Sequence, residues 1–160
     1  MSRRSRKAAP ELAVIDPAWI LRALLSSNGE ALGLRRAWQQ GLIRPLVSPD
    51  LAATLMRALA WPKLALSDAE QQELLADFLP YAEVVKPSRV QRMPGLAVPL
   101  QGLVELASQG GASLLLCDDM VLSEWSANSR SQVARQLCTV HAVTDWFQVL
   151  PPSQRDMLLC

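Results

Sequence analysis

The stretch "ASLLLCDDMVL", Ala112 to Leu122, decides how this chain is read. Its first six residues, "ASLLLC", predict a buried strand, because the run is short, apolar and bounded by Gly110-Gly111 before it and by Asp118-Asp119 after it. A strand that stops at two acids is a common way to begin a metal site. Working outward, "ELAVID" predicts a first strand ending at Asp16, "LIRPLVS" a second, "AEVVKPS" a third, and "TVHAVT" a last short one.

Helical spacing fills the gaps between them. "PAWILRALLSS" follows the first strand, with Pro17 where a first helical turn tolerates proline, and Ser26-Ser27-Asn28-Gly29 breaks it. "EALGLRRAWQQG" is a second helix, closed by Gly41. "SPDLAATLMRALAWP" is a third, with Ser48 as N-cap, Pro49 at the first helical position, and Trp61-Pro62 as its end. "SDAEQQELLADFLP" opens with the capping-box pair Ser67 and Glu70, and Leu74, Leu75, Phe78 and Leu79 form its apolar face. "RVQRMPGLA" is a loop, "VPLQGLVELASQGG" a helix stopped by Gly110-Gly111, and "SRSQVARQL" and "DWFQVL" two last helices. Strands alternating with helices imply a parallel sheet of four or five strands with helices on both faces. Sites in such sheets lie beyond the carboxyl ends of the strands, where Asp16, Asp118 and Asp119 fall.

The chain has 160 residues, half of them hydrophobic, which suits one domain with one core. Its apolar runs are too short for a membrane span, and the basic N-terminus lacks the apolar stretch of a secretory signal. Cys117, Cys138 and Cys160 are an odd set without paired spacing, as expected of a reduced, cytoplasmic protein. Residues 1–9 hold four positive charges and no acid, which leaves residues 10–160 at −3 within a total of +1. The expected organisation is a basic flexible tail over 1–11, one domain over 12–150 and a C-terminal extension over 151–160. The tail either holds phosphates or serves as a solubilising terminus.

Two acids leaving parallel strands at one edge can converge on a hard cation such as Mg²⁺, which takes oxygen ligands and water. The sequence also resembles a family, the PIN-domain nucleases, and more closely their bacterial toxin members from toxin–antitoxin systems. The resemblance runs from about Val14 to Phe147. "VIDPAWILRALLSSNG" is similar to the opening strand-Asp-helix of that group. "GLIRPLVSPDLAATLMRALAWPKLALS" resembles a segment that usually reads "SPELLAELERVLARPKF". "LVELASQGGASLLLCDDMVL" resembles a unit that usually ends "ADYLVTGDxDLL", and "AVTDWF" sits where the group has a last strand and "TPxEF".

The resemblance implies one or two Mg²⁺ or Mn²⁺ ions held by four acids, and cleavage of RNA. Of those acids the first is Asp16 and the fourth is Asp119. The second falls at Thr54, the third among Pro99, Leu100 and Gln101, and the last Asp of "GDxD" at Val121; Pro17 and Ala18 replace the polar residues that usually follow the first acid. The expected catalytic and metal-holding pair is therefore Asp16 and Asp119, with Asp118 and Glu105 as auxiliary candidates. Asp118 should point elsewhere if the strand continues to it. Asp50 and Glu105 read more simply as surface or capping residues. Two-ion catalysis should fail with two acids missing, so activity is expected to be weak or lost. The family also implies an antitoxin partner and a homodimer. The alternative function is an inactive PIN domain that binds RNA or protein.

Other candidates are weaker. Cys138 and His141 have a C-x-x-H spacing, but zinc would need two more ligands, and a buried thiol and histidine are the simpler reading. A triad of His141, Asp145 and a serine has no supporting motif. Among Trp19, Trp38, Trp61, Trp125 and Trp146, core packing is favoured over interface anchoring, although Trp19 and Trp38 lie on helices that contact partners in the family. Arg35, Arg36, Arg44, Lys63, Lys86, Arg89 and Arg92 can hold an RNA backbone if they face the site, and otherwise form a solvated surface.

Overall fold

The computed structural model describes residues 9–88, 93–128 and 139–159. Five parallel strands form one sheet: β1 (Glu11–Ile15), β2 (Ile43–Val47), β3 (Glu83–Val84), β4 (Leu114–Leu116) and β5 (Thr139–His141). Their order is β3-β2-β1-β4-β5. The eight helices among the described residues are α1 (Pro17–Leu25), α2 (Gly29–Gln39), α3 (Pro49–Leu59), α4 (Asp68–Ala76), α5 (Val98–Gly110), α6 (Met120–Asn128), α7 (Val143–Val149) and α8 (Pro152–Leu159). This is the parallel α/β layout expected of a single PIN-like domain. None of the described helices is long and apolar enough to cross a membrane.

β1 is the centre of the sheet. Its Ala13, Val14 and Ile15 are fully buried, flanked by Ile43, Leu46 and Val47 of β2 and by Leu114, Leu115 and Leu116 of β4. The pairing of Ala13 with Leu114 and Ile15 with Leu116 makes the first and fourth strands neighbours, as the sequence implies. The local signals act as their chemistry requires. Ser48 Oγ accepts from Leu51 N at 3.1 Å, and Pro49 opens α3. Ser67 and Glu70 exchange both bonds of the capping box, each at 3.1 Å. That box holds the Glu70 carboxyl below its usual range, the Ser67 backbone amide being the first cause and its hydroxyl the second. Gly111 ends α5 with φ 69°, a left-handed turn that glycine adopts without strain.

Several boundaries differ from expectation. β3 is only two residues long, because Val85 N still reaches Val47 O at 2.8 Å but Pro87 follows shortly and has no N–H to continue the ladder. The fourth helix stops at Ala76 and gives way to a 3₁₀ turn over Leu79–Tyr81, while Leu75 and Phe78 still reach the core. The last strand stops at His141, because Val143 N bonds to a side chain and starts α7. α6 lies where the sequence reading assigns no element. The expected helix "SRSQVARQL" lies outside the described residues, as do Cys138, Cys160, Arg89 and Arg92.

The C-terminal segment is a helix packed into the domain. Leu158 of α8 is fully buried, and its carbonyl accepts from Arg36 Nη1 of α2 at 3.0 Å. α2 admits α8 and α7 at Gly33, where an added Cβ would lie 2.8 Å from Leu159 Cδ2 and 3.0 Å from Phe147 Cζ. Gly33→Val is therefore expected to overpack this junction and cost about 1–3 kcal/mol, read as a lower urea midpoint with an unchanged m-value.

Candidate functional site

β2 and β3 lie on one side of β1, β4 and β5 on the other. The crevice at such a reversal, outside the carboxyl ends of the strands, is where open α/β sheets build their sites. Three aspartates come to it. Asp16 follows β1, and its amide donates to Leu116 O at 2.9 Å, so it stays in register with the end of β4. Asp118 and Asp119 follow Cys117 at the end of β4.

Each aspartate is tied to a helix start. Asp16 Oδ1 accepts from Ala18 N at 3.0 Å and caps α1. Asp119 Oδ1 accepts from Val121 N at 2.9 Å, and its carbonyl accepts from Ser123 N, so it opens α6. This is the signal that reveals α6 in the sequence: an aspartate ahead of Leu122 and Trp125, which are both buried and three residues apart. Trp125 Nε1 in turn donates to Pro94 O at 3.1 Å, docking α6 on the loop that leads into α5.

Asp118 has a structural role. Its Oδ2 accepts from Trp19 Nε1 at 2.8 Å, and its Oδ1 accepts from Val143 N at 3.0 Å. The first bond reaches α1 and the second reaches the start of α7. With both oxygens accepting hydrogen bonds, Asp118 clamps α1 and the start of α7 to the end of β4. Nearby, Thr144 Oγ1 donates to Glu30 Oε1 at 2.9 Å and ties α7 to α2 as well.

Cys117 lies between the outer two acids. It is buried, and its Sγ donates to Asp16 Oδ2 at 3.4 Å. Burial pushes the thiol up to about 12, the Asp119 backbone amide opposes this, and the charges of Asp16 and Asp119 add to it. Asp16 is thus in hydrogen-bond contact with this thiol, and the charge of Asp119 also acts on it.

The remaining positions do not join them. Thr54 is exposed on α3, its hydroxyl donating to Asp50 O at 2.9 Å; Asp50 is exposed in the first turn. Gln101 Nε2 donates to Leu96 O at 2.7 Å. Glu105 is 6 % exposed, within the run Leu103 to Ala107 of α5 that is buried all round, and it has an interaction within the protein. It is a buried residue and not the surface one its sequence context suggests, because α5 packs along β1, β2 and β4 and the position is covered there. Among the described residues no group of three or more His, Cys, Asp and Glu side chains could hold a metal ion. Asp16 and Asp119 are hard-oxygen donors of the type that Mg²⁺ and Mn²⁺ take, and two are too few for a two-ion centre.

The other candidates have places of their own. Trp38, Trp125 and Trp146 are buried, Trp19 is half-buried and Trp61 is exposed under Lys63. Arg35 donates to Leu24 O at 3.3 Å, Arg36 to Leu158 O, and Arg44 lies 3.6 Å from Glu83, so these three serve the fold or its surface. His141 is half-buried on β5, where its carbonyl accepts from Cys117 N. No protein-family model matches the chain, and neither a curated protein nor a solved structure matches it with significance.

The Cys117 environment can be tested by titration. In a protein carrying Cys138→Ser and Cys160→Ser, Cys117 should react with iodoacetamide far more slowly at pH 8 than an unfolded-chain thiol does. Its ordinary value is 9.0, and the folded protein keeps the proton up to about 12. The folded state then binds more protons than the unfolded one in that window. The thiol's contribution to stability is therefore whole below pH 9.0 and lost as pH rises towards about 12, which base titration of the melting temperature will show.

Proposed function

We propose that this chain is a PIN-like protein of the toxin–antitoxin lineage, by ancestry a metal-dependent endoribonuclease, that keeps a one-ion site and little or no cleavage activity. The observation that supports this reading is that Asp16 and Asp119 follow the carboxyl ends of neighbouring strands at the point where the sheet order reverses. Asp16 and Asp119 would hold the ion through the oxygens not used for capping. The chemistry that bound Mg²⁺ or Mn²⁺ supplies is activation of water and steadying of a phosphate oxygen. The chain's own part is to fix those two carboxylates, each held in one orientation by the amide it caps. Thr54 and Gln101 bring no charge to the positions where the resemblance implies acids, so waters fill the sphere. On the same reading the protein is cytoplasmic and homodimeric, with an antitoxin as partner and RNA as ancestral substrate.

A second reading, an inactive domain that binds RNA or protein, has its own support. Four carboxylate oxygens at this edge already accept hydrogen bonds from helix starts or from Trp19. Apolar side chains stand open on the first turns of the adjoining helices, Val98 at 78 % and Met120 at 73 % exposure.

Calorimetric titration with Mn²⁺ separates the two. On the first reading, the protein binds one ion per chain at sub-millimolar concentration, and Asp119→Asn, which keeps a capping oxygen, loses it. Heat no greater than that of the variant would sink the nuclease lineage as a working description and leave the binding module.

A further inference from the structure

At the end of the sheet opposite the aspartates the chain builds a second open surface. β1 enters the sheet at Glu11, whose amide donates to Leu42 O at 3.2 Å and which pairs with Ile43 of β2. Beside that entry lies a shallow groove of about 270 Å³, whose walls include Pro10, Gln39, Gln40, Arg44, Pro80 and Tyr81. The five residues of β1, about 17 Å of strand, separate it from Asp16. Gln39, Gln40 and Arg44 are exposed, and Tyr81 is 40 % exposed. The Tyr81 amide donates to Phe78 O at 3.0 Å, and Phe78 is fully buried, so the ring stands on a fixed backbone.

We propose that this groove and the basic tail beside it bind single-stranded RNA, with a base stacked on Tyr81 and the phosphates held by the tail. This rests on the second reading, in which the chain binds RNA, and names where it does so. Pro10 is a wall of the groove, and Arg3, Arg4, Arg6 and Lys7 lie three to seven residues before it with no acid among them. A chain spans at most about 3.6 Å per residue, so Lys7 stays within about 11 Å of Pro10 and Arg3 within about 25 Å. Four positive charges are therefore confined near this groove whatever path the tail takes. The charges fixed around it do not cancel them. Arg44 lies 3.6 Å from Glu83 and the two offset each other, while Glu11 removes one charge and is itself engaged by Ser113 Oγ at 2.9 Å. Such a surplus attracts polyanions, and the groove then selects among them. Tyr81, Pro10 and Pro80 offer flat apolar faces, and the Gln39 and Gln40 amides both donate and accept. A single strand meets these with its bases, by stacking and by base-edge hydrogen bonds, while its phosphates meet the tail. An acidic polypeptide matches only the charge. An RNA duplex has its bases already stacked and shows the groove mainly its backbone.

The test is fluorescence anisotropy of the full chain with a labelled oligouridylate of about 12 nucleotides, at about 50 to 200 mM salt. EDTA is present throughout, so that no divalent ion bridges the RNA to the aspartates. The variants are Tyr81→Phe, Tyr81→Ala, and a tail variant in which Arg3, Arg4, Arg6 and Lys7 all become Gln, each checked by circular dichroism for its fold. Tyr81→Ala should weaken binding roughly tenfold with the salt slope unchanged, while Tyr81→Phe keeps the ring and binds like the wild type. The tail variant should lower the slope of log K against log salt by up to about 3, at about 0.7 per phosphate contact. Polyglutamate and an RNA duplex of equal length should compete less well than unlabelled oligouridylate. If either competes equally, the surface is a general polyanion patch and the proposal is overturned. If RNA binds but Tyr81→Ala leaves its affinity unchanged, or the tail variant keeps the wild-type slope, this site fails and the RNA-binding reading stands. If the wild type binds no oligouridylate at the lowest salt, the site and the RNA arm of that reading fall together.

Discussion

The pairing of β1 with β4 is the constraint on which the rest of the molecule hangs. Parallel strands cannot be joined by a tight turn, so each must be reached by a crossover. After β3 the chain stands at the far edge of the sheet. It returns through α5, which lies across β1, β2 and β4, and enters on the free side of β1. That entry closes the burial of Ala13, Val14 and Ile15. It also sets the ends of two non-sequential strands side by side, and so brings Asp16 within reach of residues about a hundred positions away.

What collects at that edge is an economy of carboxylates. Each of the three opens a helix: Asp16 opens α1, Asp119 opens α6, and Asp118 supplies an acceptor to the first turn of α7. A capping aspartate contributes about 1 kcal/mol to its helix. Asp118 adds a second, long-range bond to Trp19, and thereby links α1, β4 and α7 through one side chain. Structure alone is reason enough for aspartates at these three positions.

Much of this was legible in the sequence where a local rule applies. "ASLLLC" is apolar and short, Ser48-Pro49 and Ser67 with Glu70 are caps, and Gly111 ends a helix; each depends only on near neighbours. The parallel α/β class and the adjacency of the first and fourth strands follow from alternation of strands and helices together with the resemblance. The misses share a different cause. α6 begins at Asp119, whose capping role is hidden in the sequence by the metal-ligand reading of the same acid. α8 carries one buried residue, Leu158, in an otherwise polar helix, and its place depends on Gly33 and Arg36 of α2. Glu105 is polar by type and buried by tertiary position. The role of Asp118 depends on Trp19, ninety-nine residues away, and no spacing rule reaches that far.

The same geometry bears on how strongly the edge could attract a cation. Each helix start presents roughly half a positive charge, from amides that point at its cap. Three starts meet the three carboxylates here, so the helices offset roughly half of the edge's negative charge before any ion arrives. The amide that caps α1 and the one that caps α6 also occupy an oxygen each of Asp16 and Asp119. A divalent ion must then compete with protein dipoles for the remaining oxygens and with its own hydration shell. At an effective dielectric of about 20, one more carboxylate at 4 Å would add about 4 kcal/mol of attraction per unit of ion charge before desolvation. Thr54 and Gln101 forgo that attraction. On the one-ion reading, that balance leaves an ion held loosely, by two oxygens and many waters.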